Sequence, residues 1–209
     1  MHRVRVKICG IRTSEEAAAA LECGADALGF NFWPGSPRYI SPDSARDIMS
    51  RLHPLASRIG VFVNEDADTV RTVFHSLGLS AVQLHGDESP EYCRNLAGPK
   101  IIKALRVGPE FDPGSITAYA ASAILLDASV RGSYGGTGRS FDWNAAIESK
   151  SYAPVILAGG LTIENVEEAI RTVRPMAIDV CSGVEAEPGR KDPRKLERFM
   201  EAVNRANVG

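Results

Sequence analysis

Residues 4–9 read VRVKIC, and apolar and polar side chains alternate along this stretch. A period of two is typical of a β-strand, in which successive side chains point to opposite faces. We therefore expect the apolar set to face helices and the polar set, which ends in Cys9, to point the other way.

Seven further short apolar or β-branched runs follow, and amphipathic stretches separate them. This alternation of predicted strands and helices is typical of a parallel α/β protein. The predicted strands cover residues 4–9, 27–32, 58–64, 81–85, 100–105, 123–127, 154–158 and 177–181.

Helix starts are predicted where a capping side chain precedes an amphipathic stretch. Thr13, Ser41 and Thr162 each have a polar residue three positions later, and Asp192-Pro193 precedes the last stretch. We expect helices to begin at these four places.

Eight units in 209 residues leave about 26 residues for each strand, helix and pair of connections, with no remainder for a second domain. No G-x-G-x-x-G follows the first strand, and no Pro/Gly/Ser-rich linker divides the chain. The sequence predicts a single (β/α)₈ TIM barrel with a closed parallel eight-stranded sheet, a single domain spanning residues 1–209. An open doubly wound sheet is the alternative.

Composition excludes several classes of function. The net charge is −2, so the chain offers no broad positive field for nucleic acid. No apolar run approaches the roughly 20 residues that span a bilayer, and residues 1–7 are charged rather than signal-like. The four cysteines form no C-x-x-C pair, which fits neither a disulfide framework nor zinc-ligand spacing. We expect a cytoplasmic protein in a reducing compartment.

Polar residues stand where the predicted strands end, which is where such barrels carry their chemistry. Each of these residues alone has a purely structural interpretation: Asn64 or His85 could cap a loop, and a cysteine could fill the core. Together they predict a polar rim, made of Cys9, Asn64, Gln83, His85, Asp127, Asp179 and Cys181.

Glycines cluster after the sixth, seventh and eighth strands, in residues 135–138, 159–160 and 182–183. Glycine lets backbone N–H groups approach an anion closely, and helix N-termini favour negative charge. With predicted helix starts near Thr162 and after Ser182, the last two segments predict a phosphate site. A Gly-Gly pair alone would indicate only a turn.

A positively charged residue, Arg38, lies in the segment 36–39, which reads SPRY and follows the second strand. The planar guanidinium of Arg38 matches a carboxylate in a bidentate way. A solvent-facing charge is the alternative for this residue.

Ordered motifs along the chain resemble the phosphoribosylanthranilate isomerase family of tryptophan biosynthesis. They come from several strands and keep the family's order, so a chance match is improbable. The motifs are residues 6–11, 29–32, 36–39, 60–64, 82–86, 126–127, 135–138 with 141–143, 158–161, 179–180 and 182–185.

The resemblance implies a cofactor-free and metal-free Amadori rearrangement of N-(5-phospho-β-D-ribosyl)anthranilate to 1-(2-carboxyphenylamino)-1-deoxy-D-ribulose 5-phosphate. It implies that Cys9 is the general base, Asp127 the general acid and Arg38 the group that holds the anthranilate carboxylate. Phosphate is expected at Gly136, Gly160, Ser182 and Gly183, and contacts with substrate are left open for Gln83, His85 and Asp179. The only expected partner is this phosphoribosyl substrate, with no nucleic acid or membrane, and the chain is expected to be a monomer or a homodimer.

Cys181 departs from the Asn or Ser expected at its position in this family. It is either a small innocent residue or a second thiol near Cys9, open to oxidation and able to act as an auxiliary base. Two other functions remain open: the histidine-pathway aminoaldose isomerase, whose family has an aspartate where this chain has Cys9, and a non-catalytic barrel that binds a phosphorylated metabolite.

Overall fold

The computed structural model describes residues 3–127 and 143–208. Within them, eight strands close into a parallel barrel in which β1 pairs with both β2 and β8. The predicted (β/α)₈ barrel is thus confirmed and the open sheet excluded. The strands are β1 (Arg5–Cys9), β2 (Ala27–Asn31), β3 (Ser57–Phe62), β4 (Ala81–Leu84), β5 (Ile101–Arg106), β6 (Ala123–Asp127), β7 (Val155–Ala158) and β8 (Ala177–Val180).

The helices surround the barrel: α1 (Ser14–Glu22), α2 (Pro42–Met49), α3 (Ala67–Leu77), α4 (Pro90–Asn95), α5 (Trp143–Ser149), α6 (Val166–Val173) and α7 (Pro193–Val208). The connection from β5 to β6 holds a 3₁₀ segment, Pro113–Ala118, in place of the α-helix expected there. After β8, a 3₁₀ turn (Ser182–Val184) leads into an unpredicted antiparallel hairpin of β9 (Glu185–Glu187) and β10 (Arg190–Lys191). No helix in the described part of the chain has the length and apolar character needed to cross a membrane.

Local capping chemistry sets three of the four predicted helix starts. Thr13 and Ser41 accept hydrogen bonds from the backbone N–H three residues later, and Asp192 accepts from the first turn of α7. The start predicted at Thr162 is wrong, because α6 begins at Val166. The Asn165 side chain instead bonds the Thr162 N–H and the Gly160 carbonyl, which holds this segment as a turn.

Two layers of buried side chains flank the strands. The outer layer, between strands and helices, includes Val6 and Ile8, whereas small residues such as Ala104 and Ala158 occupy the barrel interior. Lys7 and Cys9 have the opposite parity to Val6 and Ile8, and their side chains face the interior, as the alternation of residues 4–9 predicts. The small interior residues leave room for polar groups within the barrel.

Several strands end earlier than predicted. β3 ends at Phe62, β4 at Leu84 and β8 at Val180. Asn64, His85 and Cys181 consequently lie at the start of loops, beyond the regular pairing of the sheet. Asn64 has a φ of 51°, in the left-handed region that asparagine tolerates better than most residues.

Candidate active site

A cavity of about 520 Å³ opens at the carboxyl ends of the strands. Its lining includes Cys9, Arg38, His85, Asp127 and Gly160. A larger groove of about 1030 Å³ lies at the other end of the barrel, beside Val4 and the start of β7. We place the candidate site in the smaller cavity, because it gathers ionisable side chains at the end where barrel enzymes carry their chemistry.

A buried ion pair lies beneath Cys9. Lys7 Nζ on β1 contacts Asp179 Oδ1 on β8 at 2.8 Å, and both side chains are at most 8% exposed. Burial opposes the charge on Lys7, but Asp179 and Cys9 raise its pKa above the ordinary value. Burial raises the pKa of Asp179 to about 6, against the pull of Lys7. The Lys7 ammonium below Cys9 is therefore held in place by Asp179 on the neighbouring strand β8.

The Cys9 thiol has an electrostatic environment that favours its ionised form. The neighbouring Cys181 thiol lowers the pKa of Cys9 well below its ordinary value, and Lys7 and Lys191 add to this effect against the opposing effect of burial. Lys7 has the same parity as Cys9 on β1 and contributes to the lowered pKa, whereas Arg5, also of that parity, is exposed at the start of the strand. All four cysteines are free.

A second chain of contacts leads from β4 to β6. Gln83 Nε2 lies 2.8 Å from His85 Nδ1, and His85 Nε2 lies 3.3 Å from Asp127 Oδ2. With the Gln83 amide in this orientation, its NH₂ donates to His85 Nδ1, and the tautomer that accepts this bond carries its proton on Nε2, on the side of Asp127. Gln83 Oε1 is buried with no hydrogen-bond partner among the described residues. His85 thereby fixes the position of the Asp127 carboxylate at the cavity wall.

Arg38 lines the cavity and forms an ion pair with Glu185, in the hairpin that follows β8. Its Nε and Nη2 lie 3.2 and 2.6 Å from the two carboxylate oxygens of Glu185. Lys191 Nζ contacts the same carboxylate at 3.0 Å. Burial opposes ionisation of Glu185, but Arg38 and Lys191 lower its pKa to about 2. The guanidinium is thus held in one orientation beside the cavity.

The loops after β7 and β8 meet at the cavity edge. Gly159 and Gly160 have φ of 82° and 67°, which a side chain would disfavour. A Cβ on Gly183 would lie 2.0 Å from the carbonyl oxygen of Leu161, so the two loops touch at this glycine. Gly160 and Ser182 line the cavity and Gly183 follows directly. Gly136, predicted to join them, lies outside the described residues.

The structure brings nearly all of the predicted site residues to one place. Cys9, Arg38, Gln83, His85, Asp127, Asp179 and Cys181 all line the cavity, as do Asn64, Gly160 and Ser182. Sequence reasoning missed Glu185, which lay in a quoted motif without a role, and Lys191, which carried no signal. Within residues 3–127 and 143–208, no cluster of three or more His, Cys, Asp or Glu side chains could hold a metal ion.

Comparison with protein families gives one match over almost the whole chain. The model of the N-(5′-phosphoribosyl)anthranilate isomerase family matches residues 6–202. The isomerase of that name from Citrifermentans bemidjiense is 48% identical over 196 residues, which covers 94% of this chain and 95% of the relative.

Solved structures agree with the sequence comparison. Phosphoribosyl anthranilate isomerase from Thermotoga maritima has a TM-score of 0.90 and 46% identity, covering 96% of this chain and 98% of that chain. A second structure of such an isomerase contains reduced 1-(o-carboxyphenylamino)-1-deoxyribulose 5-phosphate. It has a TM-score of 0.86 and 44% identity, with coverage of 96% and 98%.

Proposed function

The chain belongs to the N-(5′-phosphoribosyl)anthranilate isomerase family, and we propose that Cys9 and Asp127 carry out its reaction as general base and general acid. The reaction is an Amadori rearrangement in tryptophan biosynthesis, which turns N-(5-phospho-β-D-ribosyl)anthranilate into 1-(2-carboxyphenylamino)-1-deoxy-D-ribulose 5-phosphate. The observation that supports this proposal is that the Cys9 thiol on β1 and the Asp127 carboxylate on β6 line one cavity at the carboxyl end of the barrel.

The first step opens the ribose ring. Asp127 donates a proton to the ring oxygen while the anilino nitrogen forms a double bond to C1′ and the ring C1′–O bond breaks. The step requires protonated Asp127 in the substrate complex. The negative charges of the substrate's phosphate and carboxylate favour that form, because nearby like charge raises the proton affinity of a carboxylate.

The second step moves hydrogen along the sugar. The protonated Schiff base acidifies the hydrogen on C2′, and the Cys9 thiolate removes it to leave an enolamine. The enolamine takes a proton at C1′ and loses its hydroxyl proton to become the ketone, so the product is an isomer of the substrate. The lowered pKa of Cys9 supports this role, since only the thiolate is basic enough to take the proton.

Binding groups at the two ends of the substrate would orient the sugar between acid and base. We propose that Arg38 holds the anthranilate carboxylate with the N–H donors that its pair with Glu185 does not use. The phosphate would bind Gly160, Ser182 and Gly183, with Gly136 as a fourth contact. Gln83, His85 and Asp179 would then act mainly on the acid and base rather than on the substrate.

The test is turnover of phosphoribosylanthranilate made in situ, followed by the loss of anthranilate fluorescence, with no added metal. We expect wild-type turnover and a fall of roughly 10²- to 10⁴-fold in Cys9→Ala and in Asp127→Asn. Cys23→Ala and the exposed Asp47→Asn are matched controls that should keep full turnover. Full activity in folded Cys9→Ala or Asp127→Asn would remove that residue from the proposal.

Turnover of the histidine-pathway aminoaldose substrate, with substrate and product separated by chromatography, tests the alternative isomerase. We expect no turnover there, because Cys9 stands where that family has an aspartate. Binding of phosphoribosylanthranilate without turnover of either substrate would favour the non-catalytic barrel.

We further propose that residues 1–209 act as one catalytic domain, in the cytoplasm, as a monomer or a homodimer. One closed barrel carries both the proposed base, Cys9, and the proposed acid, Asp127, which supports a single catalytic domain. Light scattering on the active protein measures the oligomeric state.

A further inference from the structure

A buried ion pair lies beneath the loop that follows β4. Lys103 Nζ on β5 contacts Glu88 Oε2 at 2.8 Å, and each side chain is 1% exposed. Lys103 has the parity of Ile101 and Leu105, which pack in the apolar layer between strands and helices, and not that of Ala104, which faces the barrel interior. Neither charged residue is among the described residues that line the active-site cavity. The pair therefore lies outside the site, in a layer built mainly from apolar side chains.

The Lys103 ammonium binds the backbone on both sides of His85. Its Nζ donates to the Leu84 carbonyl at 3.2 Å and to the Gly86 carbonyl at 2.8 Å, which belong to the residues directly before and after His85. The third donor goes to the Glu88 carboxylate, so all three N–H groups of the ammonium have an acceptor. One buried cation therefore holds the two peptide groups that carry the His85 side chain.

Glu88 holds the same loop through backbone N–H groups. Its carboxylate accepts from the Gly86 N–H at 3.0 Å and from the Asn64 N–H at 2.9 Å. The Asn64 side-chain oxygen in turn accepts from the Asp87 N–H at 2.7 Å, which joins the loops after β3 and β4. Apolar residues of similar volume often stabilise a protein as well as a buried ion pair does, so stability alone does not account for these charges.

We propose that Lys103 and Glu88 are positioning residues for the isomerase, which fix the backbone of His85. The His85 ring in turn orients the Asp127 carboxylate, since His85 Nε2 lies 3.3 Å from Asp127 Oδ2. The inference rests on the proposed role of Asp127 as general acid. A misplacement of about 1 Å in a reacting group can lower a rate about 10²-fold, so a loose His85 backbone would slow proton donation to the ribose ring.

The first readout is the steady-state kinetics of Lys103→Met, which keeps an unbranched side chain of similar length and removes its three donors. We expect kcat to fall about 10- to 100-fold, whereas KM changes less than about threefold because the groups proposed to bind the substrate are unaltered. Phe199→Leu is the control for a loss of buried packing. Phe199 is fully buried on α7, which packs on α1 and α6 across the barrel from β5. This variant should lower stability and leave both constants unchanged.

A second variant separates the stability of the fold from the position of His85. Lys103→Met leaves the Glu88 carboxylate buried and unpaired, whereas Lys103→Met combined with Glu88→Met leaves no charge there. We expect the double variant to resist urea better than Lys103→Met and to keep the low kcat, because the Leu84 and Gly86 carbonyls still lack the ammonium. The double variant also serves if Lys103→Met alone does not fold. A wild-type kcat in the double variant would overturn the inference.

A double-mutant cycle tests whether Lys103 acts through the acid. In an Asp127→Asn background there is no carboxylic acid left to position, so Lys103→Met should lower kcat by less than about threefold. The same fall in kcat in both backgrounds would mean that Lys103 acts independently of Asp127, and the inference would be wrong.

The third readout is the ¹⁵N NMR spectrum of protein labelled at its four histidines, in which His85→Gln identifies the His85 signals by their loss. In the wild type we expect the single tautomer protonated on Nε2, because Nδ1 accepts from Gln83. Lys103→Met should give a mixture of the two neutral tautomers, and Phe199→Leu should give the wild-type signals. Unchanged His85 signals in Lys103→Met would contradict the inference.

Failure of the proposed function would look different. In that case Asp127→Asn would retain turnover, while the His85 signals would still change in Lys103→Met. The kinetic and spectroscopic readouts therefore separate the position of His85 from the identity of the acid.

Discussion

At the residue scale, Arg38 contacts the carboxylate of Glu185, and we propose that it also binds the carboxylate of the substrate. A guanidinium has five N–H donors in a rigid fork, whereas an ammonium is a compact point charge. In Arg38→Lys, Lys191 would still contact Glu185, but the fork for a second carboxylate would be lost.

We therefore expect Arg38→Lys to raise KM about 10- to 100-fold with kcat changed by less than a few-fold, as loss of a charged hydrogen bond in the bound state requires. Steady-state kinetics measure both constants. Arg46→Lys, on α2, is the control, because that arginine is exposed and pairs with Asp43, which is itself exposed. An unchanged KM in Arg38→Lys would mean that Arg38 pairs with Glu185 and does not bind the substrate carboxylate.

Much of the site at this scale could be predicted from strand parity. Lys7 and Cys9 are two residues apart on β1, and Asp179 on β8 is two residues before Cys181, which directly follows that strand. All four side chains lie on the interior side of the barrel. The charge states could not be predicted, because they depend on burial and on the register between β1 and β8, which strand parity does not fix. The partnership of Lys7 with Asp179 exists only after β1 and β8 have closed the barrel.

At the element scale, the loops after β7 and β8 act as one unit because Gly183 lets them touch. A methyl group at this position would overlap the Leu161 carbonyl, a backbone atom that cannot move without shifting the whole loop. Gly183→Ala should therefore lower the free energy of unfolding by about 1–3 kcal/mol, the usual effect of overpacking, and weaken phosphate binding.

Urea unfolding and competition by inorganic phosphate measure the two effects of Gly183→Ala. Gly108→Ala is the matched control, because Gly108 is exposed and a Cβ there has no atom within 4 Å. A Gly183→Ala protein with wild-type stability and phosphate affinity would show that the two loops can separate without loss.

Elements formed by local chemistry were predictable, and those held by distant contacts were not. The Thr13 and Ser41 caps need only the next three residues. The start of α6 depends instead on Asn165 reaching back to Gly160, and β10 depends on Lys191, whose side chain bonds Glu185 across the hairpin. No sequence period encodes such contacts, so the sequence predicts the cap of α6 three residues early, at Thr162 instead of Asn165, and does not predict the hairpin.

At the scale of the whole molecule, the barrel is closed by the pairing of its first and last strands. Lys7 and Asp179 form an ion pair across that seam inside the barrel, and α7 packs on α1 and α6 outside it. The Val4 N–H also donates to Asn207 Oδ1 at 3.0 Å, which joins the two ends of the chain. Because the pairing of β1 with β8 closes the barrel, contacts between these two strands contribute to the stability of the whole fold.

The pH dependence of this seam has a definite sign. Burial raises the pKa of Asp179 to about 6, above the unfolded value of about 3.9. A group of this kind favours the folded state below its unfolded pKa, and that contribution is lost as pH rises through about 6. Lys7 limits the loss by pairing with the carboxylate, so its removal should raise the pKa of Asp179 further.

Lys7→Met should therefore reduce the free energy of unfolding by about 3–5 kcal/mol near pH 8, since it leaves a buried carboxylate unpaired, and by less near pH 5, where Asp179 is protonated. Urea unfolding of wild type and variant at the two pH values measures the difference, with the exposed Lys100→Met as control. Lys7→Met combined with Asp179→Leu should recover part of the loss at pH 8, because no buried charge is then left unpaired. An equal deficit at both pH values would mean that the lost packing of Lys7, and not the charge of Asp179, weakens the seam.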